Sequence, residues 1–238
     1  MSQVMYRIED HVAVLSMDSG ENRFNPSFLG AFLGALDQIE SETKATILVV
    51  HSTHEKIFSN GIDLQWLVPV IQQGDGAVAK AFFYQLNQLF KRLVTYPLVT
   101  VAAITGHAFA GGAILSCAFD FRFMRSDRGY FCLPEVDLGI PFLPGMNAIL
   151  RSAIPGPMLR ELQLTGVRLT AEMCRDHHIV KGAFGMDRLL EETMNFARPL
   201  NKQRSTIAEL KSRLNLDIIH AIDVEDVAYI ESGNFHIG

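Results

Sequence analysis

The stretch that most constrains this chain is Val99 to Ala118, VTVAAITGHAFAGGAILSCA. Val99, Val101, Ala102, Ala103 and Ile104 lack the polar alternation of a half-exposed strand, so they read as a strand covered on both faces. Thr105-Gly106 breaks the run, and Gly111-Gly112 opens a second apolar run, Ala113 to Ala118, of helical length. Strand, glycine turn, helix is an order that forms sites. The first N–H groups of a helix lack intrahelical partners and lie at the positive end of its dipole. A backbone N–H near Gly111 can therefore hold a negatively charged oxygen. Close packing of a buried helix on a sheet would use the same glycines, and this stretch fits both readings.

At 238 residues, a chain can bury roughly 70–75% of its extended surface, enough for one domain with an appendage. Hydrophobic residues make up 48% and charged ones 20%, which excludes a disordered chain. No apolar run reaches the ~18 residues of a membrane span, so no membrane insertion is expected. A formal net charge of −5 argues against nucleic-acid binding. Acidic residues interrupt MSQVMYRIEDHVAV before any apolar run forms, and the C-terminal FHIG matches no address, so cytoplasm is the default expectation. Cys117, Cys132 and Cys174 are odd in number and set in apolar context, as reduced core thiols are.

Tyr6–Ile8 and Val12–Met17 read as a hairpin, and Asn25-Pro26 starts a helix with Phe28, Leu29, Phe32, Leu33, Leu36 and Ile39 on one stripe. Thr46–Val50 reads as a buried strand, followed by a polar loop from His51 to Lys56. Spacings of four and three through Val78, Phe82, Leu86, Leu89 and Leu93 predict a helix ending at Tyr96-Pro97. Phe119, Phe121 and Phe123 alternate with Asp120 and Arg122 as a further strand, and Gly129–Cys132 is expected to form another. Everything beyond Pro144 reads as helices, with no strand after Ile179-Val180. The order predicts an α/β fold with a core over residues 1–185 and a helical region over 186–238. The apolar faces of that region need another part of the chain, or another subunit, to cover them.

Several motifs fail on context. Gly74 to Ala79 fits a loose GxGxxA pattern but follows a helical segment instead of a strand. His51, His54, His177 and His178 lack the spacing of a helical zinc pair, so no metal site is expected. Neither a GxSxG elbow nor a Walker-type GK[ST] occurs.

A second glycine turn follows the next candidate strand, in Ile57-Phe58-Ser59-Asn60-Gly61-Ile62-Asp63-Leu64, with Asp63 near a helix start. Taken with FSNGIDL, ITGHAFAGGAILSCAFDFRFM, FCLPEVDLGI and LTGVRLTAEM, the chain resembles the enoyl-CoA hydratase/isomerase, or crotonase, family from about residue 5 to residue 200. The resemblance implies a spiral of ββα turns with a C-terminal helical trimerisation region, and thus a homotrimer or a dimer of trimers. It implies an acyl-CoA thioester as substrate, with coenzyme A belonging to the substrate and no separate cofactor. It implies that the backbone N–H groups of Asn60 and Gly111 bind the thioester oxygen. Ser59, Asn60, Gly61, Ile62, Asp63, Leu64, Gly111 and Ile114 are the expected substrate-binding positions. Arg23 falls where family members touch coenzyme A, and a solvated arginine would look the same in sequence.

Enolate formation next to a thioester also needs a base. Glu135 in LPEVD has apolar neighbours that would raise its pKa; alone it could be a surface glutamate, but the resemblance places it on the family's catalytic carboxylate. Family hydratases carry a second glutamate three residues after the oxyanion glycine, where this chain has Ile114. One carboxylate suits a proton shuttle from C2 to C4 better than the activation of water. The chain is therefore similar to the Δ3,Δ2-enoyl-CoA isomerase branch, with an expected role in fatty acid oxidation. A hydratase, other enolate chemistry on an acyl-CoA, or a non-catalytic acyl-CoA-binding protein are the alternatives. Leu143 occupies the stretch where a dienoyl-CoA isomerase would want an aspartate, and Ala110 and His177-His178 replace usual glycines of the family.

Overall fold

The computed structural model describes residues 3–233, so the FHIG terminus lies outside the described residues. Strands β1 (Val4–Glu9) and β2 (Val12–Met17) form the expected hairpin. Helix α1 (Pro26–Glu42) starts as Asn25 and Pro26 dictate: the Asn25 side chain accepts the Phe28 N–H at 3.0 Å, and proline stands at the first position. Its predicted apolar stripe is buried throughout. There follow β3 (Ile47–Ser52), β4 (Ile57–Ser59), α2 (Leu64–Gln72), α3 (Gly76–Val94), β5 (Val99–Ile104), β6 (His107–Phe109) and α4 (Gly111–Cys117). Next come β7 (Phe121–Arg125), β8 (Phe131–Cys132), α5 (Glu135–Leu138), α6 (Pro144–Ala153), α7 (Gly156–Thr165), α8 (Ala171–Asp176) and β9 (Gly182–Phe184). The rest is helical: α9 (Met186–Ala197), α10 (Arg204–Leu214), α11 (Leu216–His220), a π-helical turn at Ala221–Glu225, and α12 (Asp226–Ser232).

Strands alternate between two sheets. The larger runs β1-β2-β3-β5-β7-β9, parallel except for the hairpin, and the smaller is the parallel set β4-β6-β8. Each turn thus gives one strand to each sheet before its helix, which is a spiral of ββα turns. The ends of β4 and β6 emerge side by side, and so do the segments that follow them.

Two expectations need correction. β3 runs on through His51 and Ser52 because the imidazole Nε2 lies 2.9 Å from Ser16 Oγ on β2, so a polar residue is satisfied inside the sheet. A strand does follow Ile179-Val180: β9 pairs with the edge of β7, Phe123 opposite Gly182. Its three residues are too few for a periodic signal, and its glycine is there because a Cβ would lie 2.6 Å from the Phe184 ring and 3.1 Å from Phe123.

The larger sheet is covered on both faces, as the unbroken apolar run of β5 demands. One face packs in the main core with α1 and α3; on the other, Val14, Val49 and Val101 pack with Leu189 and Met194 of α9. Lys211 staples α10 to the same end of the molecule, its Nζ 2.9 Å from Asp120 Oδ2 and 3.3 Å from the Leu98 carbonyl. Leu189 and Ile218 are therefore buried within the chain, whereas Leu210 and Leu214 remain 59% and 81% exposed.

Candidate active site

The turn after β6 brings Gly111 to the first position of α4, and the turn after β4 brings Gly61 against it. A Cβ on Gly61, whose φ is +71°, would lie 2.4 Å from the Gly111 nitrogen, and one on Gly112 would lie 2.1 Å from the Ser59 carbonyl oxygen. Only glycines allow two chain segments to approach so closely. Between them Ala110 adopts φ +52° and ψ −128°, a glycine-favoured conformation held by its N–H to the Cys132 carbonyl at 3.0 Å.

The Asn60 N–H, expected as an oxyanion donor, is not available: it donates to the Glu21 carbonyl at 3.1 Å. The amide that is free is that of Ile62. Phe24 bridges this segment through its N–H to the Gly61 carbonyl (2.7 Å) and its carbonyl to the Asp63 N–H (2.9 Å). In such a parallel bridge the residue between the two bonds turns its own N–H to the opposite side. The Ile62 nitrogen is 3.4 Å from the point where a Gly111 Cβ would be. Among the described residues, no hydrogen bond within the chain takes the Ile62 or the Gly111 N–H. Two unpaired amides of adjacent turns are thus side by side at a cavity that both residues line.

Glu135 lines the same cavity from the start of α5, only 7% exposed, and its Oε2 has no hydrogen-bond partner among the described residues. Burial pushes its pKa up to about 7, with its own backbone N–H pulling slightly the other way. The cavity holds about 620 Å³ and has a mostly apolar lining. Ile114, one turn into α4, is fully buried and lines it too, and among the described lining residues Glu135 is the one carboxylate.

Arg23, Asn60, Ile62 and Leu64 also line the cavity. Arg23 is about one-third exposed there and is forked onto Glu21, with Nε and Nη2 each 2.6 Å from Oε2. Ser59, Gly61 and Asp63 do not line it. Ser59 Oγ donates to the Asn22 carbonyl and accepts the Gly61 N–H, and Asp63 caps α2 by accepting the Trp66 N–H. Sequence reasoning missed Phe83, Met146, Ala228 and Tyr229, which reach the cavity from α3, α6 and α12. No local signal marks them, since each looks like an ordinary helix residue. The histidines are structural where the chain bonds them: His54 Nδ1 accepts the Lys56 and Ile57 N–H groups. No group of three or more possible metal ligands occurs among the described residues. Nor does any helix among them have the length and apolarity to cross a membrane.

The chain is similar to known proteins along most of its length. The chain is 28% identical over 231 residues to enoyl-CoA delta isomerase 1, peroxisomal, of Arabidopsis thaliana, covering 94% of this chain and 93% of that protein. It is 34% identical to enoyl-CoA delta isomerase 3 of the same plant over 64% of each chain, and 32% identical to a putative enoyl-CoA hydratase of Thermus thermophilus over 87% of this chain and 81% of that one. Among solved structures, a probable enoyl-CoA hydratase of Mycobacterium tuberculosis superimposes with a TM-score of 0.86 at 23% identity, covering 97% of this chain and 95% of the other, which shows a shared fold. The family model described as enoyl-CoA hydratase/isomerase matches residues 7–236, and the chain belongs to the enoyl-CoA hydratase/isomerase family, with its crotonase fold.

Proposed function

We propose that the protein isomerises 3-enoyl-CoA thioesters to trans-2-enoyl-CoA, with Glu135 as the base and the Ile62 and Gly111 N–H groups as the oxyanion hole. Glu135 takes a proton from C2, the C2 electrons shift the double bond, and the same carboxylic acid returns the proton at C4. Charge that develops on the thioester oxygen meets the two amides. They stabilise it more than the neutral carbonyl, and one such donor is typically worth about 3–4 kcal/mol of barrier.

The observation that carries this reading is that, among the described residues, Glu135 stands without a second carboxylate in the cavity, while Ile114 presents hydrocarbon to the same cavity. Hydration needs a water held and activated by a second acid–base group; a shuttle needs one base in dry surroundings. The names of the plant relatives point the same way. A place in fatty acid oxidation, a cytoplasmic location and a homotrimer or dimer of trimers belong to the same reading. Leu210 and Leu214, exposed on α10, supply apolar surface for the assembly.

Turnover of 3-hexenoyl-CoA and crotonyl-CoA by one preparation tests it. Hydration of crotonyl-CoA should be at least about 10²-fold slower than isomerisation, the lower end of what a positioned acid–base group contributes. Ile114→Glu should raise hydration and depress isomerisation. Comparable rates in the unmodified protein would put hydration first, and no turnover of either thioester would favour a binding protein.

A further inference from the structure

Asp226, fully buried on α12, takes no part in the chemistry above. One oxygen accepts the Gly145 N–H at 2.8 Å and the other accepts Asn87 Nδ2 at 2.9 Å. These partners belong to α6 and α3, 81 and 139 residues away in sequence. The first contact answers a local need. α6 has Leu143 at its cap position, with no side chain able to bond, and Pro144 next, with no N–H. Gly145 therefore carries the first free amide of α6, and a carboxylate from α12 caps the helix where its dipole is positive. Gly145 is also the residue that permits the approach: a Cβ there would lie 2.6 Å from Asp226 Oδ2 and 2.6 Å from Ile222.

The three elements joined at this carboxylate form one wall of the cavity. Phe83 lies one turn before Asn87, Leu143 and Met146 flank Gly145, and Ala228 and Tyr229 follow Asp226 on α12. Apart from Ser232 and the Tyr229 hydroxyl that wall is apolar, in contrast to the side holding Arg23 and Asn60. Ala228 and Tyr229 are exposed residues of α12, which continues the π-helical turn without a break. Ion pairs between exposed groups, Lys80–Glu231 and Lys91–Asp223, also tie this C-terminal segment to α3, but such pairs hold weakly.

We propose that Asp226 is a positioning residue for acyl-chain selection: it latches α12 onto α3 and α6, and so closes the apolar wall against which the far carbons of the acyl chain pack. This rests on the acyl-CoA reading of the cavity. Loss of the latch should cost affinity only for chains long enough to reach the wall.

Calorimetric binding of hexanoyl-CoA and decanoyl-CoA to the full-length protein tests it; neither thioester can be isomerised, so the result does not depend on the proposed turnover. Asp226→Ala should weaken decanoyl-CoA about tenfold, the worth of roughly two buried methylenes, with hexanoyl-CoA within twofold. Asp226→Asn should keep the wild-type preference. Its Oδ1 can still accept from Gly145, and its amide can donate to Asn87 Oδ1, which is buried without a partner among the described residues. Tyr229→Ala, at an exposed position, should reproduce the selective loss without touching the latch. Equal losses for both thioesters in Asp226→Ala, or an Asp226→Asn variant as defective as the alanine, would overturn the proposal. Should Asp226→Ala not fold, an unchanged decanoyl-CoA affinity in Tyr229→Ala would overturn it.

Discussion

Replacing Glu135 by glutamine separates what the carboxylate does for catalysis from what it costs the fold. Its side chain is 7% exposed, and burial raises its pKa from 4.5 to about 7. A carboxyl group that binds its proton more tightly when folded stabilises the protein fully below the unfolded value, and this contribution is lost as pH rises through the folded value. Between those values, 2.5 pH units apart, the loss comes to about 3 kcal/mol at 1.36 kcal/mol per unit. Glutamine, which never ionises, escapes it. Glu135→Gln should therefore be more stable than the parent by about 3 kcal/mol at pH 8, or about 6–12 °C in Tm for a chain of this length, and by under about 1 kcal/mol at pH 5. Asp226, which burial pushes up to about 6, titrates in both proteins and cancels in the difference. Isomerisation should fall by at least about 10²-fold in the variant, with acyl-CoA affinity kept within a few-fold. In the parent, kcat/KM should drop tenfold per unit below about pH 7. Differential scanning calorimetry at the two pH values and a spectrophotometric isomerase assay read these quantities. A Tm difference that does not change with pH, or a variant with parental turnover, would refute the reasoning.

Three further outcomes are expected. Gly111→Pro removes one amide of the proposed oxyanion hole and should lower turnover by about 10²–10³-fold, read in a stopped assay with circular dichroism as the folding control. Ala110→Gly relieves an alanine held at φ +52° and should stabilise the protein by about 1 kcal/mol, or about 2–4 °C in Tm; an unchanged or lower Tm would mean that the conformation carries no strain. Light scattering at micromolar concentration should give three or six times the 26.5 kDa of one chain, and a monomer mass would remove the assembly from the proposed reading.

Much of this molecule can be read from short stretches because the physics there is local. Asn25-Pro26 and the stripe from Phe28 to Ile39 define α1 without help from the rest of the chain, and the unbroken apolar run of β5 already requires a sheet covered on both sides. Gly111 and Glu135 stand out locally, as part of a glycine pair between a strand and a helix and as a carboxylate among apolar residues, but each also fits an ordinary structural reading, and the roles proposed for them rest on the family resemblance. Tertiary structure decided the rest. Which amide of Asn60-Gly61-Ile62 is free depends on Glu21 and Phe24, which reach the segment from the preceding loop. Nothing in the three residues distinguishes a donor pointing inward from one already paired. The strand at Gly182 exists because the edge of β7 is there to pair with it. The cavity's far wall is set by Asp226, which meets Asn87 and Gly145 only after the chain has wound back on itself. Helix and strand signals repeat over a few residues and survive in sequence, whereas a hydrogen bond spanning 139 residues leaves no periodicity to read.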